Sequence, residues 1–573
     1  MIDEKIGNPS LFTGRKKELR FFLNWIDRIK PKYSKSMAIL SRRKTGKTAL
    51  MQRLYNLTFE KNDGVIPFYY EIKESRQWLM SFSIDFLLTF MMQYIAYKSR
   101  NSDYLKLITL DSVTKAVKNE GIDHLLDYIE AIKEYQNSEY VDLMWSLAID
   151  APRKIASHTD ERVVQIIDEF QYLNRFMYWD QFKKNRAVDL AGSYLHTAEY
   201  KNAPLLVSGS WVGWLMDDLM RLLPGRFIIS NFGNIPEDES IEMVYKYASV
   251  ENVPISYQSA CIIAALTEGN PFYISSLFYS QCPNKDFSSQ AGILKTLNFE
   301  TFNEQGIIKG TWNEYIQSAI NRINDVDGKK IVLYVCKNRH KEITREEIRN
   351  DLKLSMSDQE LEKRMKAFVK SDIIEKGTTC FDYKAVQDNI FDKVFRGFYE
   401  KEINGFDPKS IQNDYKKLYQ QLMGKYNQNK GKFCEYTIID HLKYRAHLKN
   451  KQYKAMFENL PQDFGFVNYQ TVWSYSVSPV YQRDFQIDIF ARASHNDYSL
   501  IGEVKNRRSK FSIKEAEIFI KKAKELQTLE KIERVVLFIF SSSGFFKNTL
   551  KYLKNNHIAW SSNEKLITHP LTR

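Results

Sequence analysis

The stretch SMAILSRRKTGKTALMQRL, residues 36–54, constrains the fold more than any other. A short apolar run enters a polar turn, the turn closes on Gly46-Lys47-Thr48, and a helical pattern leaves it. Such a strand–turn–helix belongs in a parallel α/β sheet, with the helix opening at the carboxyl edge of the strands. Backbone N–H groups and the helix dipole then converge on one point and attract phosphate. In the pattern G-x-x-x-x-G-K-[ST], Ser41 stands where the first glycine is expected; Arg42, Arg43, Lys44 and Thr45 fill the turn, and Ala49 follows it. That glycine mainly permits a tight turn, which serine can often adopt. Lys47 is expected to reach the β- and γ-phosphates, and the Thr48 hydroxyl to ligate Mg²⁺.

A second half of the site is expected in VVQIIDEF, where an apolar strand ends in Asp168-Glu169. Asp168 would hold the Mg²⁺ through water, and Glu169 would polarise the attacking water. Buried strands are read at 36–40, 65–72, 162–173 and 203–215, alternating with helices, which means a parallel sheet. A helical insert at about 75–158 interrupts the alternation. From 234 the pattern is helical, broken at Gly269 and Pro271.

The motifs FTGRKKELRFFLNWI, SRRKTGKTAL, IIDEFQYL, LLVSGSWVGWL and LPGRF, in this order, resemble the archaeal-type ATPases of the STAND class, relatives of the AAA+ and origin-recognition ATPases. The resemblance covers about residues 8–325. It implies ATP as the nucleotide and a box of Phe12, Gly14, Arg15 and Glu18 beside the adenine. It further implies Ser208 or Ser210 as a sensor at the end of the fourth strand. Arg226 is implied to contact the γ-phosphate in cis or in trans, and supply in trans would place the chain in a homo-oligomer. EGNPF matches the family's helical-lid motif.

Residues 328–400 read as three short helices and a β-hairpin, the winged-helix order. Such a module can enter a DNA groove or serve as a protein spacer; near-zero net charge before residue 400 favours the spacer. NGFDPKS (404–410) reads as a linker. Strands recur at 486–492, 498–505 and 534–541, with a helix between the last two. Asp488 lies in the first of these, and Glu503-Val504-Lys505 ends the second. Residues i and i+2 share a strand face, so Glu503 and Lys505 project together, and a hairpin would bring Asp488 to them. Two carboxylates at one point call for a divalent cation, which can activate water, with Lys505 orienting it. The alternative is a plain ion pair of Glu503 with Lys505. The layout resembles the PD-(D/E)xK nuclease fold over about residues 428–560. The resemblance implies Glu435 as a further carboxylate and Mg²⁺, or Mn²⁺, as the ion; Gln486 takes a position that is sometimes acidic in that family.

Charge is distributed unevenly along the chain. Residues 1–400 hold 54 Lys+Arg against 53 Asp+Glu, whereas residues 401–573 hold 29 against 17. A basic excess at one end suits a polyanion, most often nucleic acid, and equally a merely lysine-rich solvated surface; with the nuclease-like layout, the expected partner is nucleic acid, DNA before RNA. Five scattered cysteines without C-x-x-C spacing indicate neither zinc nor disulfides and fit the cytoplasm. The polar N-terminus is unlike a signal peptide, and LMSFSIDFLLTFMMQYIAY, interrupted by Asp85, reads as a buried helix rather than a membrane span.

The expected architecture is therefore an α/β multidomain chain. It comprises a P-loop NTPase core (1–233), a helical lid (234–327), a winged helix (328–403), a linker with helical character (404–427) and a restriction-endonuclease-like α/β domain (428–573). The expected function is an ATP-driven switch on a metal-dependent nuclease. The alternative is an ATP-regulated nucleic-acid-binding protein whose nuclease-like domain is inactive.

Overall fold

The computed structural model describes residues 1–209, 227–320, 326–379, 381–404, 408–476, 486–494 and 496–568. The chain forms two compact units, Met1–Lys416 and Lys417–Arg573. The boundary falls within the helix Pro408–Tyr444. In the stretch expected as a linker with helical character, residues 405–407 lie outside the described set, and from Pro408 the backbone is helical. Proline is well suited to open a helix, since its missing N–H has no intrahelical partner there.

The first unit is built on a five-stranded sheet in the order Ile66–Glu71, Val163–Asp168, Leu205–Gly209, Met37–Leu40, Ile228–Asn231. Every pairing is parallel. The registers Leu40↔Gly209 and Glu71↔Asp168 align the carboxyl ends along one edge. The fifth strand, Ile228–Asn231, was not expected from the sequence; it lies at the sheet edge with mostly exposed residues.

The insert supplies the helices Leu79–Ser99, Leu110–Asn119, Leu126–Asn137 and Val141–His158. Leu79–Ser99 is long and apolar enough to cross a membrane, but 67% of its apolar window is buried inside the fold. It stacks aromatics onto the sheet: Phe86 and Phe90 meet Phe68 at 5.0 and 5.2 Å between ring centroids. Such edge-to-face pairs stabilise a core beyond simple burial.

The helices Glu237–Val250, Tyr257–Leu266, Pro271–Tyr279, Gln290–Phe302 and Ile307–Ile320 follow. Asn270 caps the third, its side chain accepting from the N–H groups of Phe272 and Tyr273. Three more helices, Val326–Lys337, Arg345–Leu352 and Asp358–Lys370, accompany a small antiparallel sheet ordered Ile343–Thr344, Asp382–Ala385, Ile374–Lys376. The helix Asn389–Asn404 succeeds it.

The second unit holds a mixed sheet in the order Thr471–Ser476, Gln486–Arg492, Ser499–Lys505, Val535–Ser541, Ala559–Ser561. The first three strands pair antiparallel and the last three parallel. Cys434, Ile438 and Leu442 pack into the core with one set of strand residues, and Phe519, Ala523 and Leu526 with the other set. Gly502 has a steric reason: a Cβ there would lie 2.3 Å from the Phe538 ring.

Candidate functional site

The strand Met37–Leu40 is wholly buried and delivers Ser41 into the turn. The positive φ angles of this turn fall on Lys44 (65°) and Gly46 (89°), not on Ser41, so Ser41 needs no glycine. Its hydroxyl instead ties the turn together through Thr45 Oγ1. Gly46 opens the helix Lys47–Lys61. The Lys47 ammonium folds back on its own loop, donating to the carbonyls of Ser41 (2.6 Å) and Arg42 (2.7 Å). Burial pushes it down to about 8, against the pull of Glu169 and Asp168.

The order of the sheet inserts Leu205–Gly209 between the loop strand and the acidic strand, which sets Ser208 beside Asp168. Asp168 is fully buried. One of its oxygens accepts from the Thr48 hydroxyl at 2.6 Å; the other accepts from Ser208 Oγ and, at 2.9 Å, from the Glu169 N–H. Thr48 and Asp168 thus present two hard oxygens side by side, the donor chemistry Mg²⁺ prefers. Glu169 adopts a left-handed backbone at φ 55° and receives a bond from Gln171 Nε2 at 2.5 Å.

A cavity of about 580 Å³ opens over this loop. Lys44, Gly46, Lys47, Thr48, Ala49 and Glu169 line one part of it. Arg43, also expected at the loop, lines it too; sequence reasoning missed, among others, Ile6 near the N-terminus, Tyr172 after the acidic strand, and Met243, Tyr247, Phe272 and Tyr279 on the following helices. Tyr172 takes a bond from Arg43 (3.1 Å) and gives one to Glu74 (2.6 Å). Burial raises its phenol well above the ordinary range.

Phe12, Gly14 and Arg15 are not among the cavity-lining residues. Phe12 lies under the Arg53 guanidinium at 5.2 Å. Arg15 is 3% exposed and donates to Glu18 (2.9 Å), the Thr45 carbonyl (2.9 Å) and the Gly233 carbonyl (2.6 Å). Its backbone N–H donates to Glu239 at 2.7 Å, and Glu239 also abuts Gly14. Arg15 therefore clasps the turn to distant segments. Arg42 pairs with Asp388 at 3.3 Å and lies over the rings of Trp312 and Phe391. Ser210 and Arg226 lie outside the described residues.

In the second unit the register Ile489↔Gly502 brings Asp488 beside Glu503. Asp488 accepts the Val504 N–H at 2.8 Å. The Lys505 ammonium lies 2.5 Å from Glu503 Oε1 and 3.6 Å from Asp488 Oδ2. Burial lowers this ammonium, but Glu503 and Asp488 raise it on balance. Glu503 is raised by burial and by Asp488, and its Oε2 is buried without a hydrogen-bond partner. Burial, then the charge of Asp488, pushes Glu435 up to about 7. The three carboxylates share one field without converging. Among the described residues, no group of three or more His, Cys, Asp or Glu is placed to hold a metal ion. The donor chemistry suits a hard cation, yet in this arrangement Lys505 supplies the positive charge.

Strand order, loop and acidic strand end make the first unit a parallel-sheet α/β domain consistent with the P-loop NTPase fold; the second unit adds a separate sheet domain. No family model matches the sequence, and no curated protein matches it. Among solved structures, a Walker-type ATPase of Pyrococcus abyssi is similar over 69% of this chain and 97% of its own, at 15% identity and a TM-score of 0.44. The ORC2 protein of Aeropyrum pernix, in ADPNP and ADP complexes, is similar over 68% and 94%, at 11% identity and a TM-score of 0.38. The RuvB Holliday junction branch migration motor of Thermotoga maritima is similar over 65% and 93%, at 13% identity and a TM-score of 0.31. At identities and TM-scores this low the likenesses carry no argument about activity, which rests on the geometry.

Proposed function

We propose that the first unit binds and hydrolyses ATP, and that its nucleotide state governs a divalent-metal-dependent nuclease of the PD-(D/E)xK kind in the second. The observation that carries the ATP half is the 2.6 Å bond from Thr48 to Asp168, beside a buried Lys47 whose hydrogen-bond partners among the described residues are its own loop carbonyls. Lys47 exchanges those carbonyls for phosphate oxygens. Ser208 keeps Asp168 oriented, and Glu169, on the cavity wall, takes the proton of the attacking water. Thr48 and Asp168 would hold Mg²⁺, which supplies charge neutralisation at the β- and γ-phosphates. Residues 234–327 act as the lid and 328–403 as a winged helix, with Arg226 reserved for the γ-phosphate of its own or a neighbouring copy in a homo-oligomer. This is a STAND-class switch working on DNA in the cytoplasm.

The nuclease half is supported by the antiparallel placement of Asp488 beside Glu503, with Lys505 between them. Asp488, Glu503 and Glu435 would hold a divalent cation, which supplies a polarised water to the phosphodiester. Lys505 stabilises negative charge on the phosphate. A second reading, nucleic-acid binding without cleavage, is favoured by one observation: the two carboxylates already share Lys505, and no three-residue ligand group is formed among the described residues. Incubating the full chain with duplex DNA or RNA and Mg²⁺ or Mn²⁺, with and without ATP, separates the two. Cleavage that Lys505→Ala abolishes supports the nuclease; binding without cleavage in every condition supports the second reading.

A further inference from the structure

The helix Pro408–Tyr444 buries one face and leaves another without a partner. Cys434, Thr437, Ile438, His441 and Leu442 point into the core. On the opposite side Phe433, Tyr436 and Tyr444 are 54%, 65% and 57% exposed. Their spacing, with Asp440 between the last two, keeps them on one stripe of the helix. Three exposed aromatic rings in a row are costly to leave in water, and among the described residues of the second unit none covers them.

The setting is basic. Between residues 425 and 454 eight Lys or Arg stand against two carboxylates. One of those, Asp440, is paired with Arg445 at 3.2 Å. Lys432 and Lys443 are exposed beside the aromatic stripe, and the Lys443 ammonium lies 5.2 Å from the Tyr444 ring. The other carboxylate, Glu435, lies on this helix between Phe433 and Tyr436, and its neighbour Cys434 accepts from Asn506 Nδ2, next in the chain after Lys505, at 2.6 Å. Aromatic faces interleaved with lysines bind unstacked bases and their backbone; a duplex, whose bases are already stacked on each other, offers only phosphates to such a surface.

We infer that the stripe Phe433–Tyr436–Tyr444 is a stacking platform for single-stranded nucleic acid, leading the strand toward the Asp488–Glu503–Lys505 cluster. The inference rests on the nucleic-acid reading of the second unit and narrows its substrate to strands with unpaired bases. Both DNA and RNA present those bases and a phosphate backbone, so the chemistry recognised is common to the two.

The test is fluorescence anisotropy on the full chain in EDTA, where no cleavage can occur, using labelled oligo(dT), oligo(U) and a blunt mixed-sequence duplex. The triple variant Phe433→Ala/Tyr436→Ala/Tyr444→Ala should bind both single strands roughly 10- to 100-fold more weakly than wild type, while duplex binding stays within about twofold. Replacing the same three residues by Trp should restore single-strand binding, which a merely structural defect would not allow. The inference is overturned if the Ala variant holds the single strands as tightly as wild type, or if duplex binding falls in parallel. Its fate is separable from that of the nuclease. Selective loss of single-strand binding with no cleavage by wild type in Mg²⁺ sinks the nuclease alone. Cleavage that ends in Lys505→Ala but is indifferent to the Ala variant sinks the platform alone.

Discussion

Replacing Asp388 by alanine should loosen the phosphate loop from a segment 346 residues away in sequence. Asp388 is 6% exposed and serves two masters. Its Oδ1 caps the helix Asn389–Asn404, accepting from the N–H groups of Ile390 (3.0 Å) and Phe391 (2.8 Å). Its Oδ2 accepts from the Tyr273 hydroxyl at 2.7 Å and pairs with Arg42 at 3.3 Å. Losing the cap costs about 1 kcal/mol. Stranding the buried Tyr273 hydroxyl costs about 1 more, since Trp312 still donates to it. The Arg42 side chain is 25% exposed, so its lost partner is worth ~1–2 kcal/mol rather than the full buried-pair value. The sum is about 3–4 kcal/mol. Asp388→Asn, which keeps the cap, should cost about 1 kcal/mol less. Urea unfolding of wild type, Arg42→Ala, Asp388→Ala and the double variant closes a cycle, whose coupling energy should be at least ~1 kcal/mol. A coupling within about 0.3 kcal/mol of zero would refute the reasoning, because the pair would then act independently.

Four further outcomes follow from the same geometry. Lys47→Ala should abolish ATP turnover, while Lys505→Ala abolishes cleavage and leaves turnover nearly intact; a coupled phosphate-release and nuclease assay reads both. Lys47 is held down at about 8, and a bound triphosphate would raise it, so binding should take up protons above pH 8 and weaken as pH rises; calorimetry in two buffers of different ionisation enthalpy measures this. Glu435 is raised in the folded state to about 7, so its contribution to stability is present below its unfolded value of about 4.5 and is lost as pH rises through 7. Mg²⁺ should therefore raise the melting temperature more at pH 8 than at pH 5.5. Gly502→Ala forces a methyl group against Phe538, and melting should show a loss of ~1–3 kcal/mol.

What the sequence revealed follows from how local each feature is. The loop was legible because an apolar strand, a G-K-T turn and a helix are contiguous, and the structure pairs that loop with Asp168 across the sheet. The strands Ile66–Glu71 and Val163–Asp168 were legible as buried apolar runs. Ile228–Asn231 was not, because an edge strand with exposed side chains carries no such run. Ala559–Ser561 is too short to show an alternation. Arg15 clasps Thr45 and Gly233, contacts that its motif does not announce. Its role depends on chain segments that meet only in the folded state, as does the pairing of Arg42 with Asp388. The aromatic end of the cavity was missed for the same reason: Tyr247, Phe272 and Tyr279 lie on helices that meet the loop only in the folded chain. In the second unit, alternation along two strands was enough to expect Asp488 near Glu503 and Lys505, and the ion pair of Glu503 with Lys505 as one outcome; that Lys505 also reaches Asp488 depends on the side-chain packing.

The most direct test of the central claim is equilibrium binding of a fluorescent ATP analogue to wild type and to Lys47→Ala, each with Mg²⁺ and with EDTA. Saturable binding by wild type, weakened by EDTA and lost in Lys47→Ala, is the predicted result. Equal binding by both proteins, or none by a correctly folded wild type, would contradict a triphosphate site at Lys47, Thr48 and Asp168.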